Sequence, residues 1–171
     1  MNIRDFVEQG EGRQEDKMTA WELFQKAYKF QMDGKLDEAV KLYQRSIETF
    51  PTAEAHTFLG WTYSFMGQLH EAIEECRLAI ETDPDFGNPY NDIGAYLIEL
   101  DQLDDAIPWL EKATKAKRYE SPSFPHMNLG RVYEKKGEWD RAIDFYKTAV
   151  TLNPQYQSAK SAMMRLITMM N

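Results

Sequence analysis

Few residues in this chain have the types and spacing that catalysis needs. The histidines stand at 56, 70 and 126, with no second imidazole or thiol at ligand spacing, so no metal centre is expected. Cys76 is the lone cysteine; it has no partner for an internal disulfide and nothing nearby to lower its pKa, so it is read as a core thiol. No glycine-rich phosphate loop occurs, and serine, histidine and acid never meet in a motif context. No catalytic residue and no cofactor is therefore assigned, and the chain is read as not an enzyme. What remains is binding chemistry. Trp21, Phe24, Tyr28, Trp61 and Phe65 offer large rings of the kind that anchor interfaces. Asn88 and Asn91 could hydrogen-bond a peptide backbone, Met127 adds apolar surface, and Arg131 and Lys135, one helical turn apart, could meet a carboxylate.

The elements that must position these residues are helices, and they repeat. A small residue recurs at Ala27, Gly60, Gly94 and Gly130, in steps of 33, 34 and 36 residues. An alanine follows each of them by 12 residues, at Ala39, Ala72, Ala106 and Ala142. Constant spacing inside each unit, with variation only between units, is the signature of stacked helical hairpins whose connecting loops tolerate insertion. The small residues mark where two helices approach closely. Tyr43, Cys76, Leu110 and Tyr146 are expected to pack towards the next repeat. Gly34, Gly67 and Gly137 are expected to end the first helices in a left-handed conformation, with Asp101 as the substitute in the third repeat. Pro51, Pro84 and Pro154 stop the second helices. Pro89 and Pro125 fall in first turns, and Pro108 is tolerated early in its helix.

The clearest unit, HMNLGRVYEKKGEWDRAIDFYKTAVTLNP at 126–154, resembles the tetratricopeptide repeat, whose pattern is W-x2-L-G-x2-Y, then A-x3-F, then P. The resemblance covers about residues 20–154 and implies an all-α, right-handed helical-hairpin solenoid of four units plus a C-terminal capping helix. The expected repeats are 20–52, 53–86, 87–122 and 123–154, with the cap at 155–170 and a domain spanning 19–171. The opening position of each first helix holds Leu23, His56, Tyr90 and His126 in place of tryptophan. The third repeat lacks its closing proline and carries two extra residues in the loop KRYESPSFP. His56 and His126 share one packing position, and His70 is expected to be exposed.

Residues 1–18 read as a flexible tail; a short helix built on Ile3, Phe6 and Val7 and docked on the first repeat is the alternative. The formal net charge of -8 disfavours nucleic acid and anionic membrane as partners. With no signal-like apolar run at the N-terminus and no membrane-length segment, a cytoplasmic location is expected. Lys112, Lys115, Lys117 and Arg118 read as a solvated face.

In such arrays the first helices line a concave surface. Helical phase places Trp21, Phe24, Tyr28 and Met32 on it from the first repeat, then Glu54, Thr57, Trp61 and Phe65. The third repeat contributes Asn88, Asn91, Ala95 and Ile98, and the fourth Phe124, Met127, Arg131 and Lys135. The resemblance thus implies a scaffold or adaptor that holds a peptide or helix of a partner protein in this groove. The two-carboxylate clamp that related proteins use on chaperone tails is absent, because its places hold Phe24, Tyr28, Phe58, Asn88 and Asp92. A self-associating module using the Met-rich terminal helix is the second reading, and an accessory domain of an enzyme complex a distant third.

Overall fold

Amphipathic segments broken by glycine–polar turns and by proline give helices, the only extended regular elements among the described residues. The computed structural model describes residues 3–170, with side chains described from residue 13 onward. Among the described residues there are nine helices: α1 (Ile3–Met32), α2 (Leu36–Thr49), α3 (Ala53–Phe65), α4 (Leu69–Thr82), α5 (Asn88–Glu99), α6 (Leu103–Lys115), α7 (Ser123–Lys135), α8 (Trp139–Leu152) and α9 (Gln157–Met170). Four hairpins follow, α1–α2, α3–α4, α5–α6 and α7–α8, with α9 packed on α8. This is the all-α solenoid fold class that the repeats imply.

The hairpin turns are built alike. Gly34, Gly67 and Gly137 have φ of 75°, 77° and 75°, and Asp101 takes the same left-handed region at 59°. In each turn the N–H three residues after the last helical residue reaches back to a first-helix carbonyl. The pairs are Lys35–Phe30, Gln68–Tyr63, Gln102–Leu97 and Glu138–Tyr133, at 2.9, 2.9, 2.8 and 2.9 Å. That bond satisfies a carbonyl the helix end would otherwise orphan. The residues before Pro51, Pro84 and Pro154 are extended, as proline requires of its predecessor, and α2, α4 and α8 stop there. Pro108 sits in the second turn of α6, which continues through it.

Close approach inside a hairpin explains the small residues. A Cβ at Gly94 would lie 2.4 Å from Leu110 Cδ2, and one at Gly130 would lie 2.4 Å from the Tyr146 ring. Leu110 and Tyr146 therefore pack back onto their own hairpin, where sequence reading pointed them to the next. Tyr43 does both: its hydroxyl donates to Gln31 Oε1 at 2.8 Å, and its ring meets Phe58 of the following repeat at 6.3 Å.

The chain divides into two units, residues 1–83 and 84–171. The first is organised on Ala27, Ala39, Tyr43 and Leu59. The second buries Ile93, Leu110, Leu129, Val132, Tyr146 and Leu166. Its irregular loop is used structurally. Arg118 pairs with Phe86 in a single parallel bridge, its guanidinium lies 4.2 Å from the Phe86 ring centre, and the Tyr119 ring fills the space a side chain at Gly87 would need. The start of that loop is thus a strap over the segment that leads into α5.

Of the expected tail, residues 3–18 are helical and belong to α1. Glu15, Lys17 and Met18 are good helix formers, so propensity carries the helix upstream of the repeat. Ile3, Phe6 and Val7 fall outside the described side chains.

Candidate functional site

Within the first unit α1 and α3 lie side by side. Positions 17, 21, 24 and 28 share one face of α1, and 54, 58, 61 and 65 share one face of α3, by the three- and four-residue spacing of a helix. Trp21 stacks on Phe24 with ring centres 5.3 Å apart and planes 10° off parallel. Phe24 and Tyr28 meet Phe58 edge-on at 5.1 and 5.7 Å, and Trp61 leans on Phe58 at 4.7 Å. Phe58 is the hub of the cluster. Sequence reading passed over it, although its place three residues before Trp61 and four after Glu54 was the available signal.

Two clefts flank the Trp21–Phe24 stack. One, of about 430 Å³, is lined by Trp21, Phe24, Gln25, Tyr28 and Phe58. The other, of about 360 Å³, is lined by Lys17, Ala20, Trp21, Phe24, Ser46, Thr52 and Glu54. Trp21 is 55% exposed and Tyr28 43%, so both present ring surface to solvent. Phe24 is half-buried, packed on the unit's core as well as on Trp21, because its position lies at the border of the buried stripe. Phe65, 66% exposed, stands at the end of α3 and lines neither cleft. Two supports hold this face in place. Ser46 Oγ donates to the Ala20 carbonyl at 2.7 Å, fixing α2 on α1, and Thr52 caps α3 by accepting from Ala55 N–H at 3.1 Å.

The expected groove residues of the second unit are differently used. Arg131 donates to Asn128 Oδ1, Asn128 to Asn91 Oδ1, and Asn91 to Asp92 Oδ1, at 3.1, 3.0 and 3.3 Å. Asn91, Asp92 and Asn128 are buried, so this ladder ties α5 to α7. Lys135 is paired with Asp101 at 3.0 Å, four residues along from Arg131, so the two cations face different partners. Asn88 and Met127 are half-buried. Thr57 and Ile98, also placed on the groove by phase, are buried, because a first helix packs against the neighbouring first helix as well as its own hairpin partner.

His56 and His126 have structural surroundings, while His70 is exposed. His56 Nδ1 lies 2.7 Å from Glu75 Oε2, while His126 stacks on Phe145 and its buried Nδ1 meets no hydrogen-bond partner. Burial lowers the His126 pKa. On the other side of α7, Glu134 accepts from the Tyr146 hydroxyl at 2.7 Å and from Arg165 of α9 at 2.6 Å. Burial first, and then that bond to Glu134, push the Tyr146 phenol well above its ordinary value.

Family models described as tetratricopeptide repeat match residues 11–53, 53–86, 88–119 and 124–156. The chain belongs to the tetratricopeptide repeat family. It is 25% identical over 134 residues to the BBSome complex member BBS4 of Bos taurus, a match covering 78% of this chain and 25% of that protein. It is 25% identical over 132 residues to the mitochondrial import receptor subunit TOM70 of Rattus norvegicus, covering 76% and 21%. The chain thus spans about a quarter of the length of these curated relatives. The solved structure of Pseudomonas aeruginosa pilF superposes with a TM-score of 0.82 at 23% identity, covering 92% of this chain and 70% of that one, and shows the same fold. Tetratricopeptide repeats of this kind support a protein–protein interaction scaffold in general. No described helix is long and apolar enough to cross a membrane.

Proposed function

We propose that the protein is an adaptor that binds a peptide or helix of a partner protein across the α1–α3 face of its first unit. One observation carries this: exposed Trp21, stacked on half-buried Phe24, stands between two clefts of about 430 and 360 Å³. Exposed rings bordering preformed clefts are what an interface anchor needs, since little ordering remains to be done on binding. A relative described as an import receptor subunit is consistent with such a role. The second-unit residues Asn91, Arg131 and Lys135 then contribute by holding helices in place, with Asn88 and Met127 left as contact positions.

The test uses Trp21→Ala and Tyr28→Ala, because both side chains are exposed and neither fills the core. Each variant should keep the wild-type melting temperature within a few degrees and lose affinity for captured partners by about tenfold or more. Phe24→Ala is a poorer probe, because that ring also packs on Tyr43 and Phe58. Retention of the same partners at the same strength by both variants would remove this face from the reading.

A second reading, self-association, rests on Met164, Met169 and Met170, which leave apolar surface exposed on α9. Light scattering decides it: a mass that stays monomeric as concentration rises would dismiss it.

A further inference from the structure

We infer that the segment bound on the α1–α3 face is a cationic amphipathic one: apolar side chains in the clefts, Lys or Arg on its flanks. This rests on the reading of that face as a docking site, and it adds the chemistry of the occupant.

The argument starts from how charge is distributed. Residues 1–83 hold nine Lys and Arg against sixteen Asp and Glu, a net of -7, whereas residues 84–171 hold eleven against twelve, a net of -1. Nearly all of the chain's excess acid therefore belongs to the unit that carries the exposed rings. Inside the clefts the picture reverses. The larger cleft is lined by no charged residue, and the smaller by one of each sign, Lys17 and Glu54, among mostly apolar surface. The floor selects apolar groups, and the field around it selects positive ones.

Ring chemistry points the same way. Exposed faces of Trp and Tyr attract ammonium and guanidinium groups through their quadrupole. Among its described residues this unit already uses that interaction, with Lys17 5.2 Å from the Phe50 ring centre and Lys35 5.5 Å from that of Phe30. Trp21 and Tyr28 offer further faces to a cation from outside. The strip from Lys17 to Tyr28 runs about 16 Å along α1 at 1.5 Å per residue, the length of about three helical turns in an occupant. Apolar contacts in the clefts set how long the segment stays, and the acidic unit sets how fast it arrives.

The experiment is fluorescence anisotropy on the full chain with three labelled helical peptides of about three turns. The first carries Leu at i, i+3, i+4 and i+7 with Lys elsewhere; the second keeps the Leu pattern with Glu for Lys; the third keeps Lys and replaces Leu by Ser. The Leu/Lys peptide should bind roughly tenfold tighter than the Leu/Glu peptide at about 0.1 M salt, the ratio shrinking towards one near 1 M as screening grows. Trp21→Ala and Tyr28→Ala should each weaken the Leu/Lys peptide about tenfold. If Leu/Glu binds as tightly as Leu/Lys yet still responds to Trp21→Ala, the cationic inference falls and the docking face stands. If binding ignores both substitutions, the docking face itself falls. Equal binding by the Ser/Lys peptide, or none by Leu/Lys, overturns the inference.

Discussion

Single residues in this chain fall into two kinds, those limited by space and those limited by backbone. Gly130 is of the first kind, since a Cβ there would press on the Tyr146 ring at 2.4 Å. Gly137 is of the second, with φ of 75° and nothing within 4 Å of an added Cβ. Gly130→Ala should cost about 1–3 kcal/mol through overpacking, and Gly137→Ala about 1–2 kcal/mol through left-handed strain. Urea denaturation of both in a Tyr146→Ala background separates the causes. The Gly130→Ala penalty should shrink there, while the Gly137→Ala penalty should be additive. His126 supplies a pH dependence. Burial lowers its pKa below 6.5, so the unfolded chain takes up the proton first as pH falls. Its contribution is therefore full above pH 6.5 and is lost progressively as pH drops through the folded pKa. Between about pH 6.5 and 5 the melting temperature of His126→Phe should fall less steeply than that of wild type, since the variant has no imidazole to protonate and no orphaned Nδ1.

At the scale of elements, α3 and α9 carry the sharpest expectations. Thr52 is the side-chain cap of α3, the helix that bears Phe58 and Trp61. Thr52→Ala should cost about 1 kcal/mol and raise hydrogen exchange in the first turn of α3. The helix α9 is held by fully buried Leu166 and by the Glu134–Arg165 pair. Leu166→Ala should cost about 2–5 kcal/mol, whereas Arg165→Ala should cost under about 1 kcal/mol, because the pair is partly exposed and screened. Comparison of their thermal melts checks the ranking. Helix ends were legible from local signals: glycine or Asp101 at the turns, proline after the second helices. The upstream reach of α1 was not, because no stop signal marks its start and only propensity carries it. Nor was the strap at Phe86 and Arg118, since a backbone bridge across thirty-two residues leaves no local pattern.

For the molecule as a whole, the two units have different characters: one acidic with exposed rings, the other near-neutral with its inner polar residues tied to one another. Partner binding should therefore depend on ionic strength through the association rate, with dissociation nearly salt-independent. Stopped-flow measurement with an identified partner at two salt concentrations checks this. A salt-dependent dissociation rate would instead place charged contacts inside the interface.

Repeat spacing determined the four hairpins and the residues that pack them, because close helix approach demands small side chains at fixed intervals, and the motif it exposed carried the resemblance to the family. It also singled out Trp21, Phe24, Tyr28, Trp61 and Phe65 as rings outside that packing, of which Trp21, Tyr28 and Phe65 are exposed. Helical phase cannot distinguish a side chain facing solvent from one covered by a neighbouring helix, and only the tertiary structure decided that. It put Asn91 into a buried ladder with Asn128, turned Arg131 and Lys135 to separate partners, drew Phe24 half into the core and made Phe58 the centre of the aromatic face. These assignments depend on contacts between helices distant in sequence, and the period of one helix does not encode them.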